Sequence, residues 1–318
     1  MDFEEFKSNL MDLVTKEVED RELDGISLKF NSINSPDGMT DRLMVSVGDS
    51  KMSMAFRLKE IFRDVNNGES MDHAVYKIVN TIEANIEVVK TKEGDVKNFI
   101  SDYEQVKDNT YLRLIPGDSP VLAETPHRMI QDMALVVNIH LDNFSDENGR
   151  SCVVVTRPLM ELYGVDEAQL FADAEKNSLE NEPIVFTPLG DMIKSLIESE
   201  ELPSPDEVGI VTYIATNKSG FHGASIAAYP DFAEKAAETI GGSFYMLPSS
   251  VHEFILIKDD GKPNAKDLNK MIKNVNETVL EPRDILASQC YHYDAKSKVL
   301  ETGLKYNARV QQRKGGAR

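Results

Sequence analysis

Two short apolar runs, residues 244–247 and 254–257, flank Pro248-Ser249-Ser250-Val251-His252-Glu253. Such runs, with aromatic and β-branched members, read as strands, and antiparallel pairing would place Pro248-Ser249-Ser250 at or near the connecting turn. Around this hairpin the pattern predicts a strand over 224–229, a helix over 231–240 stopped by Gly241-Gly242, a capped helix over 264–275 and a last strand over 288–293. That order is β-α-β-β-α-β, the ferredoxin-like split arrangement, with a further strand at 208–215 ahead of it as a hairpin partner.

The beginning of the chain has a different rhythm. Phe3, Phe6, Leu10, Leu13, Val14 and Val18 recur at helical spacing and form one apolar stripe. Strands at 28–33 and 42–47 follow, broken by Ser35-Pro36-Asp37-Gly38, and then a short run at 52–56. Two helices come next, separated by Asn66-Asn67-Gly68, the second beginning near Ser70. A strand at 111–115 ends at Pro116-Gly117, where the pattern shifts to apolar strands alternating with capped helices. Residues 133–141 and 152–156 read as a hairpin around the polar loop 142–150. Asp166 caps a helix carrying Leu170, Phe171 and Ala174, with Gln169 at the capping-box position. A short strand over 184–186 follows, and then a helix with Met192, Ile193, Leu196 and Ile197.

The fold class expected is therefore α+β: a helix, hairpin and two-helix unit over 1–117, then a mixed, mostly antiparallel sheet domain over 118–303. The stretch 304–318 is a basic tail expected to fray, with five cationic residues and no acids from Lys305 onward. A chain of 318 residues, 41% of them hydrophobic, has material for a sizeable core. The opening residues are acidic and lack an apolar signal core, and no apolar stretch approaches the ~20 residues of a membrane helix, so a soluble, cytoplasmic protein is expected. Cys152 and Cys290 lie in β-like apolar runs, where a reduced, packed thiol is the ordinary outcome.

Charge is unevenly spread. The net −19 resolves into −7 over residues 1–100, −16 over 101–250 and +4 over 251–318. An acidic middle repels phosphate backbones, which argues against direct nucleic-acid binding, and it can attract a basic protein partner. Phosphate-binding glycine loops, a nucleophile elbow and a His-Glu-x-x-His pair are all missing from the sequence. The six histidines are scattered, so neither a metal nor a cofactor is expected.

Two segments carry the candidate residues. In an extended chain Ser250 and His252 fall on one face while Ser249 and Glu253 fall on the other, so a serine-histidine dyad is geometrically possible. Against it stands a turn whose hydroxyls serve backbone amides, with His252 half buried. In Thr125-Pro126-His127-Arg128 the proline could aim His127 and Arg128 at one anionic group; a salt bridge to a nearby carboxylate is the plainer reading. Asn177 reads as the left-handed cap ending a helix over 167–177, Thr216-Asn217 as part of a hairpin turn, and Asp259-Asp260 as a solvated loop.

Taken in order, these segments resemble a bacterial family known only as a domain of unknown function. The landmarks are Ile61-Phe62-Arg63-Asp64-Val65-Asn66-Asn67-Gly68-Glu69-Ser70, Pro126-His127-Arg128, Leu162-Tyr163-Gly164-Val165, Ala174-Glu175-Lys176-Asn177, Thr216-Asn217, Gly223-Ala224, Tyr229-Pro230 and Leu247-Pro248-Ser249-Ser250-Val251-His252-Glu253. The likeness covers nearly all of the chain except the tail, and a second bacterial family of unknown function is more distantly similar. Ser178 stands where the resemblance leads one to expect threonine. No activity or cofactor comes with either family.

The function expected is a non-enzymatic cytosolic binding or accessory module. Its candidate surface comprises His127, Arg128, Asn177, Asn217, Ser249, Ser250, His252 and Glu253. The alternatives are a hydrolase-like enzyme using the Ser/His/Glu set, and an acidic decoy that occupies a basic nucleic-acid-binding protein.

Overall fold

The structure is a computed structural model that describes residues 1–35, 38–48, 53–141, 151–190 and 211–315. Several sequence readings therefore lie outside the described residues: the centre of the turn at Pro36-Asp37, Met52, the loop 142–150, the helix with Met192 to Ile197, residues 208–210 and the last three residues of the tail.

The opening helix α1 (Phe3–Asp20) is capped by the Asp2 carboxylate, which accepts from the Glu5 N–H, and it buries Phe6, Leu10, Val14 and Val18. These lie over a three-stranded antiparallel sheet of β1 (Ile26–Ser35), β2 (Gly38–Val47) and β3 (Ser53–Arg57). Helices α2 (Leu58–Asn66) and α3 (Met71–Ser101) complete the unit, and Ser70 caps the second through His73 N–H. Leu43, Val45, Leu58, Val75, Ile78, Val79 and Ile82 close its apolar core.

A short helix, α4 (Tyr103–Val106), leads into a second sheet: β4 (Thr110–Pro116), β6 (Met133–His140) and β5 (Arg128–Ile130), with β7 (Cys152–Val154) also on β6. The boundary read at Pro116-Gly117 thus falls beside a strand, β4, that pairs antiparallel with β6 over its whole length. Helices α5 (Arg157–Tyr163) and α6 (Glu167–Asn181) follow. Gly164 ends the former in the left-handed region, at φ 66°, where a side chain would be strained.

The third sheet is antiparallel with six strands, ordered β13 (Val299–Thr302), β12 (Tyr291–Asp294), β10 (Phe244–Ser250), β11 (Glu253–Lys258), β9 (Thr212–Asn217) and β8 (Ile184–Pro188). The β-α-β-β-α-β order starts at β9, because residues 224–229, expected as a strand, fall in the 3-10 turn Gly223–Ala228 and its cap at Tyr229. Small residues and close approach to neighbouring backbone favour the tighter turn there. Helices α7 (Phe232–Ile240) and α8 (Ala265–Thr278) are the crossovers. One face of this sheet, with Phe244, Met246, Phe254 and Leu256, joins the second sheet and α6 in the largest core. The alternate residues Tyr245, Leu247, Ile255 and Ile257 face Ala265, Leu268 and Ile272 of α8.

The sequence reading did not anticipate β13, and the tail expected to fray is the helix α9 (Gly303–Gly315). Tyr306 stacks on the buried His292 ring with centroids 3.4 Å apart, and Arg309 reaches Glu301 at 2.6 Å. Asp259, read as solvated, is instead enclosed beneath this helix, accepting from His292 Nε2 and the Tyr306 hydroxyl, each at 2.9 Å. Anchors three residues apart hold the helix in spite of its basic composition. Neither cysteine is paired, and burial pushes the Cys290 thiol up to about 11. Among the described residues no helix is long and apolar enough to cross a membrane.

Candidate functional site

The turn after β10 is a junction. A register shift falls between Pro248 and Ser250, and β12 pairs with β10 only at Phe244, Tyr245 and Met246, so Pro248 sits where no second neighbour claims a strand N–H. From that turn the Val251 N–H donates to Asp284 O at 2.8 Å, Val251 O accepts from Ala224 N–H, and His252 O accepts from the Thr216 hydroxyl at 2.8 Å. Three separate segments are tied to it. Gly223 is where they close up, since a Cβ there would lie 2.0 Å from Thr216 Oγ1 and 2.4 Å from His252 O.

The hydroxyls serve this turn. Ser250 Oγ accepts from the His252 backbone N–H at 3.0 Å, and Ser249 Oγ donates to Glu253 Oε1 at 3.2 Å. The imidazole of His252 is engaged on both sides. Its Nδ1 lies 3.1 Å from the His222 N–H and 3.2 Å from Gly220 O, and its Nε2 lies 3.5 Å from Asp284 Oδ1. Accepting from the His222 N–H at Nδ1 places a ring proton on Nε2, on the side of Asp284. Ser250 therefore meets the peptide of His252 and not its ring.

Beside it, His222 is a non-glycine residue in left-handed geometry, φ 50° and ψ 33°, and its ring is buried parallel to that of His252 at 5.7 Å. Such a conformation costs about 1–3 kcal/mol, so the surrounding bonds must hold it. Burial, then the charge of Arg113 and the nearby His252 and His140 rings, drive the His222 pKa far below its ordinary value and keep the ring neutral. Phe221 links this pair to His140, which stacks on Tyr111 at 4.2 Å. Asn138 donates to Cys152 Sγ at 3.2 Å, and burial raises that thiol. Among the described residues no three His, Cys, Asp or Glu converge as metal ligands would.

The other sequence candidates lie elsewhere. His127 Nδ1 donates to Thr125 O at 2.9 Å, while the Arg128 guanidinium sits over the Phe171 ring at 4.2 Å. The ring contacts of His252 are with Phe221 and His222. Asn177 does not cap a helix end: α6 continues to Asn181, and the Asn177 amide points inward, donating to Lys107 O at 2.6 Å and Thr110 O at 3.0 Å. Leu170, Ala174, Asn177 and Ser178 share the buried face, so continuing the helical period would have shown it. Asn217 ends β9, and its amide donates to Phe221 O at 3.1 Å, closing the turn.

Sequence reasoning missed one concavity altogether. It is an open cleft of about 780 Å³ walled by residues 116–120, Met129 and Asp132 on one side and by Pro282 and residues 285–288 on the other. Its size lies within the ~300–1,000 Å³ of ordinary ligand sites. Asp118 and Asp132 are the charged side chains of its lining. Asp132 is fixed by the buried Tyr291 hydroxyl, which donates at 2.5 Å, and by Gln289 Nε2 at 2.8 Å. A carboxylate has about four acceptor sites, so two remain. The turn at 249–253 buttresses the far wall through the bond from Val251 to Asp284. The Pro116-Gly117 pair, read as a strand stop and a boundary between units, was the available signal.

Residues 3–295 match the Family of unknown function (DUF5688), and the chain belongs to that family. No curated protein and no solved structure matches it.

Proposed function

We propose that this chain is a non-enzymatic binding or accessory module that works in the cytoplasm on a protein partner. One observation carries the reading: the Ser249 hydroxyl is bonded to Glu253, the Ser250 hydroxyl to the His252 backbone N–H and His252 Nδ1 to the His222 N–H, all within the turn that joins β9, the 3-10 turn and the 282–288 loop, so that among the described residues neither serine hydroxyl meets the imidazole. Nucleophilic catalysis needs a hydroxyl within hydrogen-bond reach of a free imidazole nitrogen. The segment that looks most reactive instead braces the wall of a cleft, and the net −16 over residues 101–250 favours a basic partner.

The test uses the purified full chain and a fluorophosphonate probe, read by intact-mass and peptide mass spectrometry. No adduct on Ser249 or Ser250 is expected. Stoichiometric labelling of either serine that disappears in His252→Ala would overturn the reading in favour of a hydrolase.

A further inference from the structure

Resting on that reading, we propose that the cleft binds an extended peptide segment bearing one lysine or arginine, whose cation is received by Asp118 and Asp132. Three observations converge. The cleft is lined by apolar surface including Met129, which is half exposed at 52% although a methionine is usually buried. Asp118 and Asp132 are its charged lining residues, and the Tyr291 and Gln289 bonds hold Asp132 in one orientation, which reduces the ordering cost of receiving a cation. Burial drives the Tyr291 pKa upward, so its hydroxyl keeps the proton it donates.

The third observation separates a peptide from a simple amine. Among the described residues nothing accepts from the backbone N–H of Leu286, Ala287 or Ser288, although Leu286 and Ala287 are buried and the stretch walls the cleft. Backbone donors in such positions are normally paired. Adjacent N–H groups of an extended segment point to opposite sides, so a carbonyl of an extended chain lying in the cleft is the partner that fits those on its side, as in strand addition to an open edge. The segment is kept from collapsing onto its own neighbours because Asp284 O accepts from Val251 and Ala287 O accepts from Asn276 Nδ2.

The probes are hexapeptides labelled with fluorescein at the N-terminus, fluorescein-Ala-Leu-Xaa-Pro-Leu-Ala-NH2, with Xaa lysine, arginine, norleucine or glutamate. They are titrated by fluorescence polarisation into the full chain at low and high salt, with methyl-¹³C methionine NMR as a local readout. The lysine and arginine peptides are expected to bind about tenfold more tightly than norleucine, the advantage of one charge-assisted contact, to lose that advantage at high salt, and to shift the Met129 methyl resonance. Asp118→Asn, at an exposed position, should erase most of the preference without changing thermal stability, and Asp132→Asn should do so even if it loosens Tyr291.

Equal binding of all four peptides, or lysine binding that leaves Met129 unmoved, would overturn the assignment. So would failure of every peptide to bind. None of these results bears on serine labelling, so the binding-module reading stands or falls separately.

Discussion

The two ends of this molecule bury different chemistry. The unit built from α1, the first sheet, α2 and α3 closes on Phe6, Leu10, Val14, Leu43, Leu58 and Ile82, all aliphatic or aromatic. The fourteen polar side chains that are buried among the described residues lie between Thr110 and His292. An apolar core is stabilised by area and needs only volume and pattern. Buried polar groups must each find a partner, and so they fix geometry at single positions. The first region is therefore held by area and pattern alone, while the second, which also contains the largest apolar core, specifies in addition one arrangement of loops around the cleft.

The sharpest way to break this contrast is Gly223→Ala. The added methyl would meet backbone on two sides, His252 O at 2.4 Å and Asn217 N at 2.9 Å, where no side chain can swing away. A loss of upwards of ~3 kcal/mol is expected, concentrated in the region after residue 110, since overpacking against backbone exceeds the usual range for side-chain crowding. Hydrogen exchange should show the third sheet opening while α1 amides stay protected. Uniform loss of protection would mean the two regions unfold as one.

Leu10→Ala makes the opposite cut. A fully buried leucine in an apolar core costs ~3 kcal/mol when truncated, through lost transfer energy and the cavity left behind. The expected signature in urea is a lower midpoint with an unchanged lysine-peptide affinity for the fraction that remains folded. An affinity change would show that the first unit shapes the cleft directly. The ion pair between Arg63 and Glu281, at 3.4 Å, is the visible contact between α2 and the loop leading into the cleft wall.

What could be read in the sequence follows the same division. The helical stripe from Phe3 to Val18, the stop at Asn66-Asn67-Gly68 and the cap at Ser70 are local signals, and they gave the first unit almost element by element. The β10–β11 hairpin was equally legible through its alternation, although Pro248, Ser249 and Ser250 lie in β10 itself and the turn is Val251-His252. What failed was non-local. Asn177 looked like a cap because its partners, Lys107 and Thr110, lie some seventy residues away. Residues 224–229 looked like a strand because their apolar content says nothing of the space left by Thr216 and His252. The serine and histidine of the 249–253 turn were visible, but Asp284 and His222, which engage the ring, carry no spacing that announces them.

Asn177→Leu tests how much the polar specification contributes. The leucine is close in volume, yet the change takes the amide donor away from Thr110 O and Thr110 Oγ1, while Lys107 O keeps the Thr110 hydroxyl and N–H. About 2 kcal/mol is the expected loss, the cost of buried acceptors deprived of this donor. Equilibrium urea unfolding should show a lower midpoint with an unchanged slope. A neutral result would mean water replaces the amide at Thr110 and that α6 is held by Leu170, Phe171 and Ala174 alone.

The smallest effect expected separates the regions by pH. His222 is buried against His252, with His140 and the Arg113 guanidinium also acting on it, and burial first, then these neighbours, depress its folded pKa. The unfolded chain takes up a proton near the ordinary histidine value of ~6.5, and the native ring does not. The unfolded state thus binds more protons below that pH. Stability is full above ~6.5 and falls on acidification by up to ~1.4 kcal/mol per pH unit from this one ring. His222→Asn should flatten that part of the slope, and asparagine tolerates the left-handed backbone at φ 50°. Urea unfolding at pH 5.5, 6.5 and 7.5 measures the difference. If the slope persists in the variant, the acid sensitivity belongs to another group, with buried His292 beside Asp259 the next to test, and the strained turn at His222 is held by packing and not by keeping its ring uncharged.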